Sequence, residues 1–209
     1  MKRNLSVFSF CVVLSAAVFM GCGSANQLLV PTEITRPPVT DLSPPEPSRA
    51  RVAVVDFSYT PPDEPKVIGR DNDRVRQIIW EGNPGNLMAD LVAGSLSERG
   101  VPASRFSEET LITDNFSSVV KGTVRRFEVN IRRRNLVNVY VETTVEMNIF
   151  VSGPGVTAPW ETSISSSSVS QEVIPLPDNV GKALSSVANN AADEAVRRLR
   201  ERGAAGSSR

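Results

Sequence analysis

Five arginines form the densest group of side chains able to bind an external ligand. They are Arg125, Arg126, Arg132, Arg133 and Arg134. Guanidinium groups pair bidentately with phosphate, so the group predicts contact with lipid headgroups or lipopolysaccharide phosphates. The alternative is a solvated hairpin tip whose charges protect a sheet edge and pair with Glu128 or Glu142.

Three aspartates are placed like site residues: Asp56 after a buried-looking strand, and Asp71 and Asp73 in a polar loop. A carboxylate-pair hydrolase needs two such groups across one cleft, and no feature brings these together. The simpler interpretation is that Asp56 caps the end of a strand and that Asp71 and Asp73 keep a surface loop soluble.

The chain has no histidine, which excludes the Ser-His-Asp relay and His-ligated metal sites. We therefore predict no catalytic residues, no metal and no cofactor.

Three aromatic side chains are candidates for an exposed patch that binds a partner. Tyr140 and Phe150 occupy even positions of a predicted strand, and Trp160 follows it. Alternatively, the linker or the strand at residues 51–59 covers these rings.

The N-terminal segment has the composition of a secretory leader. Lys2 and Arg3 precede an apolar run from Leu5 to Met20, which serine residues interrupt, so a membrane-spanning helix is disfavoured. Cys11 lies inside this leader, so only Cys22 survives processing and no disulfide framework is expected.

Cys22 is the predicted modification site. The segment Phe19-Met20-Gly21-Cys22 resembles the lipobox of bacterial lipoprotein precursors, although Phe19 replaces the usual leucine. That resemblance implies acylation of Cys22, with palmitate among the acyl chains, as the mature N-terminus. The same resemblance implies sorting to the periplasmic leaflet of the outer membrane, because the residue after the cysteine is Gly23 and not aspartate. An ordinary cleaved signal or an uncleaved anchor is the alternative.

Prolines recur between residues 23 and 50 without any hydrophobic period, which favours polyproline II or coil. Such a tether could reach about 80 Å when extended. We therefore divide the chain into a lipoprotein signal peptide (1–21), an acylated cysteine with a Pro-rich tether (22–50), one periplasmic domain (51–203) and a disordered tail (204–209).

A long strand from Leu136 to Val151 organises the domain, because its odd positions are almost all apolar and its even positions mostly polar. In the preceding strand, residues 119–132, the apolar positions change parity near Arg125, which predicts a β-bulge. The polar strand at 160–173 is expected at a sheet edge.

Shorter apolar runs predict further strands, and two stripes with i, i+4 spacing predict helices. The first helix runs from Leu87 to Arg99 before Gly100, and the second from an Asp178 N-cap to about Arg202. The predicted fold is α+β, a mostly antiparallel sheet with two amphipathic helices packed on one face. Short strands are expected at 51–57 and 67–69, residues 76–80 favour an edge strand over a helical turn, and residues 101–106 form a short strand or an extended link.

The order of these elements behind a lipobox resembles bacterial lipoproteins of the YajG type. The pattern includes Ile68-Gly69-Arg70-Asp71-Asn72, the helix ending at Gly100, and Val120-Lys121-Gly122-Thr123-Val124. Similar α/β layouts occur in the lipopolysaccharide-transport lipoprotein LptE and in auxiliary lipoproteins of ABC transporters. The resemblance implies a location and a fold, without an established catalytic activity.

Acidic and basic residues number 23 each, so the chain has no electrostatic footprint for nucleic acid. We expect a non-enzymatic outer-membrane lipoprotein that binds an envelope protein or lipopolysaccharide as an assembly or transport accessory. The alternative is a carrier that holds lipid or lipopolysaccharide between sheet and helices, and a hydrolase using Asp and Arg is a third. The sequence leaves the partner and the oligomeric state open.

Overall fold

The computed structural model describes residues 26–34, 50–61, 64, 66–112, 115–135 and 138–205. The predicted leader, Cys22 and most of the predicted tether lie outside these residues. The described strands are β1 (Gln27–Val30), β2 (Val52–Val55), β3 (Ser58–Tyr59), β4 (Val67–Asp71), β5 (Arg76–Trp80), β6 (Ala103–Phe106), β7 (Ser118–Arg133), β8 (Val139–Ser152) and β9 (Trp160–Glu172). The described helices are α1 (Pro84–Glu98) and α2 (Pro177–Glu201), and a 3-10 turn spans Glu109–Leu111.

The antiparallel strands β7 and β8 form the centre of the sheet. Every odd position of β8 is buried, as the alternation predicts, whereas its even positions are partly or fully exposed. Positions 136 and 137 of the predicted strand lie outside the described residues. The polar strand β9 pairs with β8 alone, so it is the sheet edge that its composition predicts.

The predicted bulge in β7 is confirmed. The register between β7 and β8 shifts between Val124 and Arg126. Because one extra residue is inserted there, the even positions Val120 and Val124 and the odd positions Phe127 and Ile131 are all buried.

The other edge of β7 takes three shorter strands in succession, β2, β3 and β4, and all three are parallel to it. The sheet is mixed, so the predicted antiparallel majority is wrong, whereas the α+β class is confirmed.

Parallel strands need a crossover connection, and the segment that contains α1 makes one between the parallel strands β2 and β6. A short run such as Val52–Val55, buried at every position, carries no information about strand direction.

Helix α1 begins at Pro84, earlier than the predicted start at Leu87. Asn83 is the cause, because its side-chain oxygen accepts the N–H groups of Gly85 (2.9 Å) and Asn86 (3.1 Å). Proline at the first helical position has no N–H to leave unsatisfied, so the segment Pro84-Gly85-Asn86 forms the start of the helix.

Helix α2 contacts α1, β8, β9 and β1, so the sheet curls around it from β9 to β1. A Cβ at Gly181 would lie 3.3 Å from the Pro31 ring, which shows how closely α2 approaches the end of β1. The N-cap residue is Leu176, and the predicted cap Asp178 lies in the first turn, where its charge favours the helix dipole. Among the described residues, neither helix is both long and apolar enough to cross a membrane.

Two segments at the ends of the chain are more ordered than the sequence predicts. Gln27–Val30, placed in the tether, is strand β1, parallel to β5, and its Leu28 and Val30 are buried. Ala204 and Ala205, placed in the disordered tail, are also buried, and both donate N–H to the Leu199 carbonyl. Four and two residues are too few to show a periodicity, so only the packing reveals them.

We expect Leu28→Ala to lower the free energy of unfolding by about 2–5 kcal/mol, because Leu28 is 5 % exposed within the core. Leu29→Ala is the matched control, since Leu29 is 60 % exposed on the same strand and should change stability by less than about 0.5 kcal/mol. Urea denaturation of both variants is the measurement. Equal, small effects would show that β1 is not part of the folded core.

Candidate functional site

The β4–β5 turn is built around the buried carboxylate of Asp71, which is 1 % exposed. One carboxylate oxygen accepts the N–H groups of Asp73 (3.1 Å) and Arg74 (3.2 Å), which fixes the turn. The other oxygen accepts Nη2 of Arg76 at 2.7 Å, so the buried charge is paired. Asp71 is therefore an organiser of the turn, since the hydrogen bonds described for its carboxylate all come from residues 73–76 of the same hairpin.

The β4–β5 turn is joined to the tip of the β7–β8 hairpin. Asp73 accepts two hydrogen bonds from the Arg133 guanidinium, at 2.6 Å and 2.8 Å, and the Asn72 N–H donates to the Ile131 carbonyl at 2.9 Å. The hydrogen bonds from Arg133 hold the pKa of Asp73 below its ordinary value, and the nearby positive charge acts in the same direction. The two tips therefore form one surface.

We name this surface the hairpin end and define it as Arg74, Val75, Arg132, Arg133 and Arg134. Arg133 holds the two tips together, whereas the other three guanidinium groups face outward. The contacts of Arg132 and Arg134 are weak, a 3.6 Å approach to a glutamate and a stacking contact. Within the described part of the chain, the Arg74 side chain has no ion-pair or hydrogen-bond partner.

Of the five arginines that the sequence analysis grouped together, only the last three lie close to one another. Arg132, Arg133 and Arg134 lie together, and Arg132 approaches Glu142 as the alternative of a solvated tip predicts. Arg125 and Arg126 lie at the bulge, six or more residues back along β7 from Arg132, or about 20 Å.

Ion pairing differs between the two arginines at the bulge. Arg126 pairs with Glu146 at 3.1 Å and approaches Glu128 at 3.6 Å. Arg125 has no such partner among the described residues. Neither residue contributes to the hairpin end.

The three aromatic candidates are not brought together. Tyr140 and Phe150 are ten residues apart on β8, about 33 Å along the strand. Trp160 pairs with Val151 on the buried face of β8, where the Arg202 guanidinium stacks on its ring at 4.6 Å. Only Tyr140 lies near the hairpin end, with Arg134 over its ring at 5.7 Å. The structure therefore contains no single patch of these three rings.

The carboxylates considered for hydrolysis are also apart. Asp56 pairs with Arg105, whose other partner is Asp90, and these contacts raise the pKa of the Arg105 guanidinium. Asp56 follows the strand that pairs with the start of β7, whereas Asp71 pairs with Ile131 near its end. The two aspartates therefore lie beside positions of β7 that are about nine residues, or about 30 Å, apart. No cleft joins these two carboxylates.

Sequence reasoning missed Arg74 and Val75 as site residues. The available signal was the run Asp71-Asn72-Asp73, since Asp and Asn residues that bond their own backbone predict a tight turn with an exposed tip. Its position beside the β7–β8 tip follows only from the parallel pairing of β4 with β7.

No family model matches this chain, and no curated protein matches it. Among solved structures, a Xanthomonas campestris protein of the DUF330 family aligns with 81 % of this chain and 91 % of its own length, at 14 % identity and a TM-score of 0.51. This likeness shows a shared fold.

Two bacterial lipoproteins are more distant in structure. GNA1162 from Neisseria meningitidis covers 69 % of this chain and 99 % of its own, at 18 % identity and a TM-score of 0.36. A minor lipoprotein from Acinetobacter baumannii covers 71 % and 91 %, at 8 % identity and a TM-score of 0.35. Likeness at that level carries no conclusion about this chain, and the resemblance to the YajG type and to LptE stays a prediction.

We expect the Asp73–Arg133 pair to make stability depend on acid pH. The native pKa of Asp73 is lowered, so its carboxylate stabilises the fold above the ordinary aspartate pKa of about 3.9. This contribution is lost as the pH falls through the lowered native value. Asp73→Asn should therefore be less stable than the parent at pH 7, and the difference should shrink as the pH falls below the ordinary aspartate value, as measured by urea denaturation.

The Arg133→Gln background provides the control for that comparison. With the Arg133 guanidinium removed, the effect of Asp73→Asn should depend on pH much less, because only the weaker attraction of the Arg74 charge remains to lower the pKa of Asp73. A pH dependence that persists undiminished in this background would assign it to another group.

Proposed function

We propose that this chain is a non-enzymatic lipoprotein of the bacterial outer membrane, anchored through an acylated Cys22 and facing the periplasm. The support for the anchor is the leader composition and the lipobox-like segment that ends at Cys22. The domain acts as an assembly or transport accessory by binding another component of the envelope.

The component that it binds carries phosphate groups, and the hairpin end is the binding surface. The observation that carries this proposal is the convergence of Arg74, Arg132 and Arg134 at one end, while Arg133 is used to hold the tips together. Guanidinium groups that are free or weakly paired keep their donors available for phosphate oxygens. The phosphate belongs to a lipid headgroup or to lipopolysaccharide, which share this chemistry.

The carrier alternative requires apolar space between the helices and the odd face of β8. Those odd positions are between 0 and 2 % exposed, and α2 presents small buried residues with the same exposure. This close packing leaves no apolar space for a ligand between α2 and β8, which supports the accessory role over the carrier role. The buried α2 residues are Ala188, Ala191, Ala192 and Ala195.

We expect Arg74→Gln, Arg132→Gln and Arg134→Gln combined to weaken phosphate binding. Each arginine near an anionic surface contributes about 1 kcal/mol, so the loss of three should lower the affinity about a hundredfold at low salt. The leaderless chain, residues 23–209, contains every described residue and separates this attraction from the acyl anchor. Co-sedimentation with phosphatidylglycerol vesicles in one arm and binding to purified lipopolysaccharide in the other would distinguish the sources.

The control replaces Arg197, Arg200 and Arg202 by Gln near the other end of α2, which changes the net charge by the same amount. Binding that weakens equally in both triple variants would indicate a net-charge effect and no site. Unchanged binding in the hairpin-end variant would contradict the proposed surface.

We expect Cys22→Ser to abolish fatty-acid incorporation and to leave the leader attached. The physical reason is that only a thiol accepts the first lipid, and acyl chains contribute about 0.8 kcal/mol per buried CH₂ to membrane binding. Palmitate labelling in cells and the mass of the purified chain are the measurements. A mature parent chain that begins at another residue, without fatty acid, would contradict the anchor.

A further inference from the structure

Four large apolar side chains are exposed close to the hairpin end. Val75, at the tip of the β4–β5 turn, is 84 % exposed, and Val173, Ile174 and Leu176 are 68, 53 and 55 % exposed. The last three belong to the connection from β9 to α2. Exposed apolar residues scattered singly need no explanation, but four at one end of a domain mark a surface that binds something apolar.

The strand register places that connection beside the arginines. Glu172, the last residue of β9, pairs with Val139, and Val139 pairs with Arg133. Residues 173–176 therefore leave the sheet at the level of the β7–β8 tip. Apolar loop residues and outward arginines thus occupy the same end of the molecule.

The backbone of Val75 is strained. Its φ is 51°, in the left-handed region that a β-branched residue rarely adopts, and its side chain packs against little. Glycine or asparagine would suit this turn position better. A residue that weakens the turn without packing in the core points to a use outside the folded domain.

The N-terminal end of the folded domain lies at the same place. The Gln77 N–H donates to the Asn26 carbonyl at 2.9 Å, and Asn26 lines one groove of about 580 Å³ together with Val75 and Arg76. Asn26 follows Cys22 by four residues, which span at most about 14 Å. An acyl group on Cys22 is therefore held within that distance of the start of β1, whatever the length of the Pro-rich segment that follows β1.

We infer that the hairpin end is the membrane-docking end of the domain, seated on the anionic bilayer that holds the Cys22 anchor. Val75, Val173 and Ile174 enter the boundary between headgroups and acyl chains, and the outward arginines lie on lipid phosphates. This inference rests on the proposed lipid anchor and assigns the phosphate to that bilayer. The domain then lies on the membrane in one orientation and does not stand off on a long tether.

The test places a polarity-sensitive fluorophore on the mature acylated chain in vesicles of phosphatidylethanolamine and phosphatidylglycerol. Val75→Cys and Ile174→Cys carry the label at the hairpin end, and Leu111→Cys carries it as the control. Leu111 is 56 % exposed, and its neighbour Glu109 pairs with Lys121, ten residues along β7 from Ile131. We expect blue-shifted emission and quenching by lipid-borne quenchers at positions 75 and 174, and neither at position 111.

The outcomes separate this inference from the proposed function. An acylated chain that floats with the vesicles while all three labels report water would overturn the docking orientation and leave the anchor intact. A chain that carries no fatty acid and does not float would overturn both. Equal quenching at positions 75 and 111 would also contradict a single orientation.

The variant Val75→Asn provides a second test, because it should change stability and membrane binding in opposite directions. We expect this variant to be more stable in urea, because asparagine tolerates the left-handed conformation. In the leaderless chain it should bind phosphatidylglycerol vesicles about tenfold more weakly, since the apolar contact is lost. Vesicle binding that stays unchanged, or rises with stability, would overturn the role of Val75.

Discussion

The structure depends on the sixteen-residue strand β7, because it pairs with β8 along one edge and with short strands at three places along the other. One edge is paired with β8, and the other receives β2, β3 and β4 in turn. The bulge beside Arg126 keeps the apolar residues of both halves on the same face. A register slip of one residue in either half would expose its apolar set, so the bulge is part of what specifies the fold.

The same strand determines where the outward arginines meet. Because β4 is parallel to the end of β7, its turn lies beside the β7–β8 tip, and the Asp73–Arg133 pair joins the two. Most charges elsewhere on the described surface are paired, as for Asp56 with Arg105 and Glu194 with Arg198. The hairpin end differs because outward arginines and exposed apolar residues occur together there, a combination suited to a membrane interface.

The fold alone says little about function. A sheet of this kind curled over two helices is shared with the DUF330 protein at 14 % identity, which leaves almost every surface residue free to differ. The function proposed for this chain therefore depends on the side chains at one end of the sheet, where Asn26 also lies. The strained backbone of Val75 lies at this end as well.

The sequence by itself determined the alternating face of β8, the bulge in β7, the polar edge strand β9 and both helices, because each of these follows from local spacing. Tertiary structure alone decided that β2, β3 and β4 run parallel to β7, that Gln27–Val30 is a strand, and that Arg74 and Val75 lie beside Arg133. The physical reason is that periodicity reports which face of an element is buried, whereas the partner and direction of a short strand depend on residues far away in the chain.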